Sequence, residues 1–320
     1  MPRRSTCAAF STMLVLAFSG CGGGGGGKGA GGEVIVDGSS TVFRISKAAQ
    51  EGYAKVNPDT LVVVDNHGTG GGFGRYLQGE VDIVDASRTA KPDEESKAKA
   101  QGIEWTRFHV GYDGITLVVN PKNDFVKQLT VEQLKALWGP DSTVKTWKDL
   151  DPTWPDRKIA LYCPDDDSGT YEFFVEAIIG KGKGQRHDVQ ASADDNTLVQ
   201  GVAGDPDGIG YFGYAYYAAN ASKLRAVPIQ NGADKPAVLP NPETILDKTY
   251  SPLSRRLYLY VKKSSMRRPE VAGFLKYYLG NLTTLVPAAG YVAPTSDDLT
   301  ANHEAWPEAP APEGQPVAAK

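Results

Sequence analysis

Four short segments combine hydroxyl side chains with glycine or arginine: Ser39-Ser40-Thr41, Thr69-Gly70-Gly71, Ser87-Arg88 and Ser168-Gly169-Thr170. Each lies where a short apolar run gives way to residues at helical spacing, at or near the start of a helix. A helix start leaves backbone NH groups unpaired and carries the positive end of the helix dipole, so it attracts anions. Small residues let the backbone approach a ligand closely, and hydroxyls add donors without bulk. One such segment alone is ordinarily a helix cap, and a glycine-rich turn ordinarily serves tight geometry. Four in one chain, with Arg88 in one of them, compose a cage for a small tetrahedral oxyanion.

The elements that must carry these segments are legible as alternating strands and helices. Val34 to Val36 is a strand, and Ile45, Ala48, Ala49, Tyr53 and Val56 recur at helical spacing before Asn57-Pro58 ends the run. Leu61 to Val64 and Asp82 to Ala86 are strands, with His67 to Gly74 a glycine-rich turn between them. Ile115 to Val119, Ile159 to Cys163, Ile209 to Phe212 and Leu257 to Val261 are further buried strands. Thr130 with Gln133 forms a capping box for a helix ending near Trp138. Helices also follow Ser168, Asp194 or Asp195, and Pro269. This alternation makes an α/β protein with mainly parallel sheets, whose ligands bind beyond the carboxyl ends of the strands.

Length and composition narrow the field. A chain of 320 residues is enough for two ordinary domains. Lys+Arg 34 against Asp+Glu 38 gives a net charge of −4, which argues against a nucleic-acid partner. Three Cys and four His offer neither a disulfide framework nor a His-based metal centre, and nothing calls for a cofactor. There is no G-x-S-x-G, H-E-x-x-H or G-x-x-x-x-G-K-[ST] motif, so the chain reads as a binding protein, not an enzyme. Gly22, Gly24 and Gly27 satisfy G-x-G-x-x-G, but no strand precedes them and the dinucleotide reading fails.

The amino terminus reads as an export signal over residues 1–20: Arg3 and Arg4, then the short apolar run Cys7 to Phe18. Phe18-Ser19-Gly20-Cys21 resembles the bacterial lipobox, with Phe18 where leucine is usual, and implies that Cys21 becomes the lipidated first residue of an extracytoplasmic, membrane-anchored protein. Residues 21–32 then hold nine of the 36 Gly and form a flexible tether. Residues 301–320 are Pro/Ala-rich and read as a poorly ordered tail.

Taken in order, Asp37-Gly38-Ser39-Ser40-Thr41-Val42-Phe43, Gly68-Thr69-Gly70-Gly71-Gly72-Phe73, Asp85-Ala86-Ser87-Arg88, Tyr112-Asp113-Gly114-Ile115, Asp167-Ser168-Gly169-Thr170 and Gly208-Ile209-Gly210-Tyr211-Phe212-Gly213-Tyr214 resemble the phosphate-binding proteins of the bacterial phosphate ABC importer. The resemblance covers about residues 33 to 300. It implies the type II periplasmic-binding-protein fold, with two lobes of mixed, mainly parallel sheet flanked by helices and two hinge crossings. The crossings fall near Ile115 and Arg256, so residues 33–114 and 256–300 form one lobe and 115–255 the other. It implies inorganic phosphate and permease subunits as partners, for a monomer held to the membrane only by its lipid.

The ligand contacts implied are Ser39, Ser40, Thr41, Thr69, Gly70, Ser87, Ser168, Gly169 and Thr170. Two positions depart from the best-known members: Arg88 stands where they have Asp, and Pro164-Asp165-Asp166-Asp167 where they carry an Arg. The expectation is therefore that Arg88 supplies the positive charge. A carboxylate elsewhere accepts the ligand's proton, Asp113 first and Asp167 second. The same cleft would serve a surface phosphate sensor or storage protein without a permease, or a relative that selects sulfate or molybdate.

Overall fold

The computed structural model describes residues 32–166 and 168–310. The expected signal peptide, Cys21 and nearly all of its tether, Asp167 and residues 311–320 lie outside the described residues.

The chain begins with β1 (Glu33–Gly38), α1 (Ser40–Val56), β2 (Leu61–Val64), α2 (Gly68–Leu77), β3 (Ile83–Ala86) and α3 (Pro92–Ala100), and enters the long strand β4 (Trp105–Val119). A middle section follows: β5 (Leu129–Thr130), α4 (Val131–Trp138), α5 (Trp147–Leu150), β6 (Ala160–Pro164), α6 (Gly169–Phe174) and β7 (Gln190–Ser192). It continues through α7 (Asp195–Gly204), β8 (Gly208–Gly213), α8 (Tyr214–Ala219), β9 (Arg225–Ala226), β10 (Ile229–Gln230) and α9 (Pro242–Leu246). The chain returns along β11 (Ser254–Lys262) and closes with α10 (Pro269–Gly280), α11 (Leu282–Ala288) and α12 (Ser296–Ala305).

Nine strands make one sheet in the order β2-β1-β3-β11-β4-β8-β6-β7, with β9 beside β4. Pairing is parallel towards both ends, as β1 with β2 and β3, and β6 with β7 and β8. It is antiparallel in the middle, where β11 and β4 run side by side. β4 changes neighbour part-way: its residues up to Gly114 pair with β11, and those from Ile115 pair with β8. Two large hydrophobic cores sit on either side of that change. One is built from Val34 to Val110 and Leu257 to Ala309, the other from Tyr112 to Leu253. The backbone thus passes between the cores at Asp113–Ile115 and again near Ser254.

Local sequence explains the helices that matter here. In α1, Val42, Ile45, Ala49 and Tyr53 are buried at helical spacing, and the Ser39 side chain caps the first turn by accepting from the Thr41 NH at 3.3 Å. The stretch His67 to Gly74, expected as a turn, instead opens α2. Packing overrides its poor helix propensity: a Cβ on Gly72 would stand 2.7 Å from the Asp37 carbonyl oxygen and the Gly38 Cα, so the helix lies directly on β1. Its Phe73 and Tyr76 fill a small core beneath.

The strand expected from Ile115 is the last third of a 15-residue strand beginning at Trp105, which shows no clean alternation because all of Phe108 to Val119 is buried. Helix α12 runs into the stretch expected as tail. Thr295 caps it, and the Asn302 amide is fixed to both backbone groups of His109.

Candidate ligand-binding site

Three helix starts meet between the two cores. The first turn of α1 presents Ser40 and Thr41, that of α2 presents Gly68, Thr69 and Gly70, and that of α6 presents Gly169 and Thr170 behind the cap Ser168. The turn Ser87-Arg88 follows β3 and joins them through Thr69, whose hydroxyl accepts from the Ser87 NH at 3.2 Å and lies 3.2 Å from the Ser87 hydroxyl. Two adjoining cavities, about 570 and 480 Å³, share His67, Gly68, Glu172, Glu176 and Lys181 as walls and so form one cleft. The first also exposes Ser40 and Ser168, and the second Thr69, Gly70, Ser87, Arg88 and Arg255.

The two sides already touch. The Ser40 hydroxyl donates to Glu172 at 2.7 Å, and the Thr41 hydroxyl donates to the Gly169 carbonyl at 3.3 Å. Gly169 is required by this approach, since a Cβ there would stand 2.6 Å from both the Thr41 nitrogen and its hydroxyl oxygen.

Ser39 and Ser168 each spend their hydroxyl on a backbone NH of their own helix start, Thr41 and Thr170 respectively. This holds the turns in shape, and both serines are almost fully buried. Asp37 braces the start of α2: it accepts from the His67 NH at 3.0 Å and pairs with Arg75 at 2.6 Å.

Two arginines line the cleft, and they are held very differently. Arg88 forms a two-pronged ion pair with Glu94, at 2.8 and 2.9 Å. Burial works to raise the Glu94 carboxyl, but the Arg88 guanidinium and the Lys91 NH together hold it below its ordinary value. Arg255, which the sequence analysis did not single out, donates from Nε to Asp113 at 3.2 Å and from Nη2 to the Thr41 hydroxyl at 2.6 Å. Its guanidinium carbon lies 3.9 Å from the centre of the Phe173 ring.

Asp113 is fully buried behind Arg255 and is not a wall of either cavity. One oxygen, Oδ1, has no hydrogen-bond partner among the described residues. Burial pushes its carboxyl up, against the opposing pull of Arg255 and Arg44. At the rim, Lys91 and Lys181 approach one another, and the amine of Lys91 is held below its usual value by Lys181 and Arg88.

Of the expected residues, Ser40, Thr69, Gly70, Ser87, Arg88 and Ser168 line the cleft, whereas Thr41, Gly169 and Thr170 are buried beside it, Ser39 acts from behind as a cap and Asp113 lies behind Arg255. The residues missed are Arg255, Glu172 and Phe173. For Arg255 the signal was faint: two arginines open an apolar strand, and only the register of β11 on β4, which sets Arg255 opposite Asp113, gives the first one a partner. No helix among the described residues is long and apolar enough to cross a membrane.

Comparison with known proteins follows the same lines. The family model of the PBP superfamily domain matches residues 25–281. Protein SphX of Synechococcus elongatus is 42% identical over 261 residues, covering 81% of this chain and 77% of that protein. Phosphate-binding protein PstS of Staphylococcus saprophyticus is 40% identical over 295 residues, covering 91% of this chain and 90% of that one. Among solved structures, a possible phosphate binding protein from Planctomyces limnophilus matches with a TM-score of 0.84 at 41% identity, over 87% of this chain and 99% of that chain.

Proposed function

The chain belongs to the PBP superfamily and, within it, to the family of the phosphate-binding protein PstS, and we propose that it captures inorganic phosphate outside the cytoplasm and delivers it to an ABC-type importer. The observation that carries this reading is the meeting of three hydroxyl-bearing helix starts, drawn from both cores, on one cleft. Ser40, Thr41, Thr69, Gly70, Ser87, Ser168, Gly169 and Thr170 supply neutral donors to the phosphate oxygens, and Arg88 adds positive charge to the wall. Such preset dipoles hold an anion in a protein whose net charge is negative.

Residues 33–114 with 256–300 act as one lobe and 115–255 as the other, hinged where β4 and β11 pass between the cores. The protein works as a monomer that meets permease subunits, tethered to the membrane through a lipidated Cys21. Asp113 completes the selection. It does so from behind Arg255: with Oδ2 on that arginine, Oδ1 has no partner among the described residues and is left for the proton of a monohydrogen phosphate that reaches past the guanidinium, whereas sulfate at neutral pH has no proton to give. A site built on a substrate hydrogen bond rejects an analogue lacking it by roughly 10⁴ to 10⁵-fold.

Thermal unfolding in the presence of phosphate, arsenate, sulfate and molybdate tests the reading. A ligand at about 100 times its Kd stabilises by about 2.7 kcal/mol, enough for a shift of several degrees. Phosphate and arsenate raise the melting temperature, and sulfate and molybdate leave it in place. A shift with sulfate or molybdate but none with phosphate overturns the assignment. Co-purification with permease subunits from detergent-solubilised membranes tests delivery, and a receptor that never meets them is a sensor or a store.

A further inference from the structure

We propose that Arg255 is the arginine that meets the bound oxyanion, and that its grip on both sides of the cleft makes capture and closure a single event, with Asp113 as the residue that positions it. The inference deepens the phosphate-binding reading and rests on it.

Arg255 sits at the start of β11, where the chain passes between the cores, and its register partner on β4 is Asp113. Its side chain is 14% exposed. Nε is fixed by Asp113, and Nη2 reaches the Thr41 hydroxyl on α1 and faces the Gly169 carbonyl at 3.4 Å. Arg255 stands at the second crossing, the last residue before the returning segment 256–300, and is held to the first side through Asp113, its register partner on β4, and Thr41 on α1, whereas Gly169 and the Phe173 ring belong to α6 on the opposite side. Opening the cleft therefore strips Arg255 of Gly169 and Phe173 while leaving it held by Asp113 and Thr41. Closing brings an aromatic face against the guanidinium, which favours the cation.

The remaining fork of the guanidinium gives it a task. Nη1 finds no acceptor among the described residues, and the side chain lines the same cavity as Thr69, Gly70 and Ser87. Beside Arg255 the cavity offers the hydroxyls and backbone NH groups of Thr69, Gly70 and Ser87, with Glu172 and Glu176 also in its wall, so an open guanidinium prong among those donors is complementary to a tetrahedral dianion. Arg88, the other arginine in the wall, has both Nη groups committed to Glu94. An ion that fills the open prong of Arg255 is bound by a group whose own contacts are complete only when the cleft is shut. Selection and closure are thereby coupled.

The test is phosphate titration by calorimetry with small-angle X-ray scattering on the same full-length samples, for the unaltered protein, Arg255→Gln, Arg255→Lys and Phe173→Leu. The unaltered protein binds phosphate and contracts. Arg255→Gln loses about 100-fold or more in affinity and does not contract, since a charge-assisted contact is lost in a desolvated site. Arg255→Lys keeps the charge without the fork and recovers about tenfold over the Gln variant. Phe173→Leu binds about three- to tenfold more weakly and contracts less at saturation.

Binding by Arg255→Gln within about threefold of the unaltered protein overturns the inference, as does equal affinity in the Lys and Gln variants. If Arg255→Gln fails to fold, by circular dichroism, the Lys and Leu variants decide: unaltered affinity in both overturns it. Failure of the unaltered protein to bind phosphate instead overturns the proposed function itself, and this inference with it.

Discussion

Arg88 and Glu94 face one another as two parallel prongs, Nη1 to Oε2 at 2.8 Å and Nη2 to Oε1 at 2.9 Å, at the turn that carries Ser87 into the cleft. The Lys91 NH adds a third contact to the same carboxylate at 2.7 Å. The arginine that stands out in the sequence is therefore already balanced, and its pairing sets the shape of the turn as much as the charge of the cleft. Glu94→Gln leaves the guanidinium unmatched in a partly buried place and should destabilise the protein by about 1 to 3 kcal/mol at neutral pH. The folded Glu94 carboxyl lies below its ordinary 4.5, so its contribution is present above that value and lost as the pH falls through the lower, folded one. Urea unfolding of both proteins at several pH values checks this. The gap should narrow as the pH falls from 4.5 into acid and the carboxylate is protonated, and a gap that stays constant there refutes the assignment.

Asp113 separates two ways of holding a phosphate. If its free oxygen takes the ligand's proton, Asp113→Asn removes the carboxylate that sulfate cannot face, so phosphate weakens while sulfate binding becomes measurable. The expected outcome is a fall in the phosphate-to-sulfate affinity ratio of about 100-fold or more, read by calorimetry with each ion. A loss in equal proportion for both ions would leave Asp113 only as the anchor of Arg255.

The contact between Gly169 and Thr41 makes closure sensitive to a single methyl group. Gly169→Ala places a carbon 2.6 Å from the Thr41 nitrogen and hydroxyl oxygen, and 2.8 Å from its Cα. That distance is well inside van der Waals contact and rests on backbone that cannot swing aside. Because the clash exists only across the cleft, each core should keep its packing while the closed form is disfavoured. Phosphate affinity should fall by about 100-fold, with a change in melting temperature of no more than a few degrees, since overpacking costs about 1 to 3 kcal/mol. Scattering should show a protein that stays extended with phosphate present. Unaltered affinity, or a collapse of the melting temperature, runs against this account.

How far the sequence reaches can be judged from particular elements. The hydroxyl-bearing helix starts were legible because each is a local event: an apolar run, a small polar residue, then helical spacing. Ser39, Ser168 and their neighbours could be placed without knowing what lay beside them. Helix α2 was not legible as a helix, because the glycines that lower its propensity are there to let Gly72 lie on β1, a contact distant in sequence. The length of β4 was hidden for a similar reason. A strand covered on both faces shows no alternation, and its role in joining two cores depends on which strand lies beside it. Arg255 is the clearest case. Its partners Asp113, Thr41 and Phe173 lie far from it along the chain, so nothing local distinguishes it from Arg256, whose ring contact is with Tyr112.

Asp85 offers a test of what lies under the cleft. It precedes the Ala86-Ser87 turn, is fully buried, accepts from the Ser46 hydroxyl at 2.8 Å, and has no partner for its second oxygen among the described residues. Burial pushes its carboxyl up to about 8, only partly offset by Ser46, so at neutral pH the group is largely protonated. A folded value above the ordinary 3.8 means that the native state binds this proton more tightly than the unfolded chain does. The resulting stability is fully present below the ordinary value and is lost progressively as the pH rises to about 8. Asp85→Asn imitates the protonated side chain at every pH. The variant should match the original near pH 4 and exceed it increasingly towards pH 9, by an amount on the order of a few kcal/mol. Urea unfolding of the two proteins across that range measures the divergence. Parallel stability curves would mean that Asp85 carries its charge in the folded protein, and that the bed of the Ser87 turn is held by an ionised carboxylate instead of a neutral one.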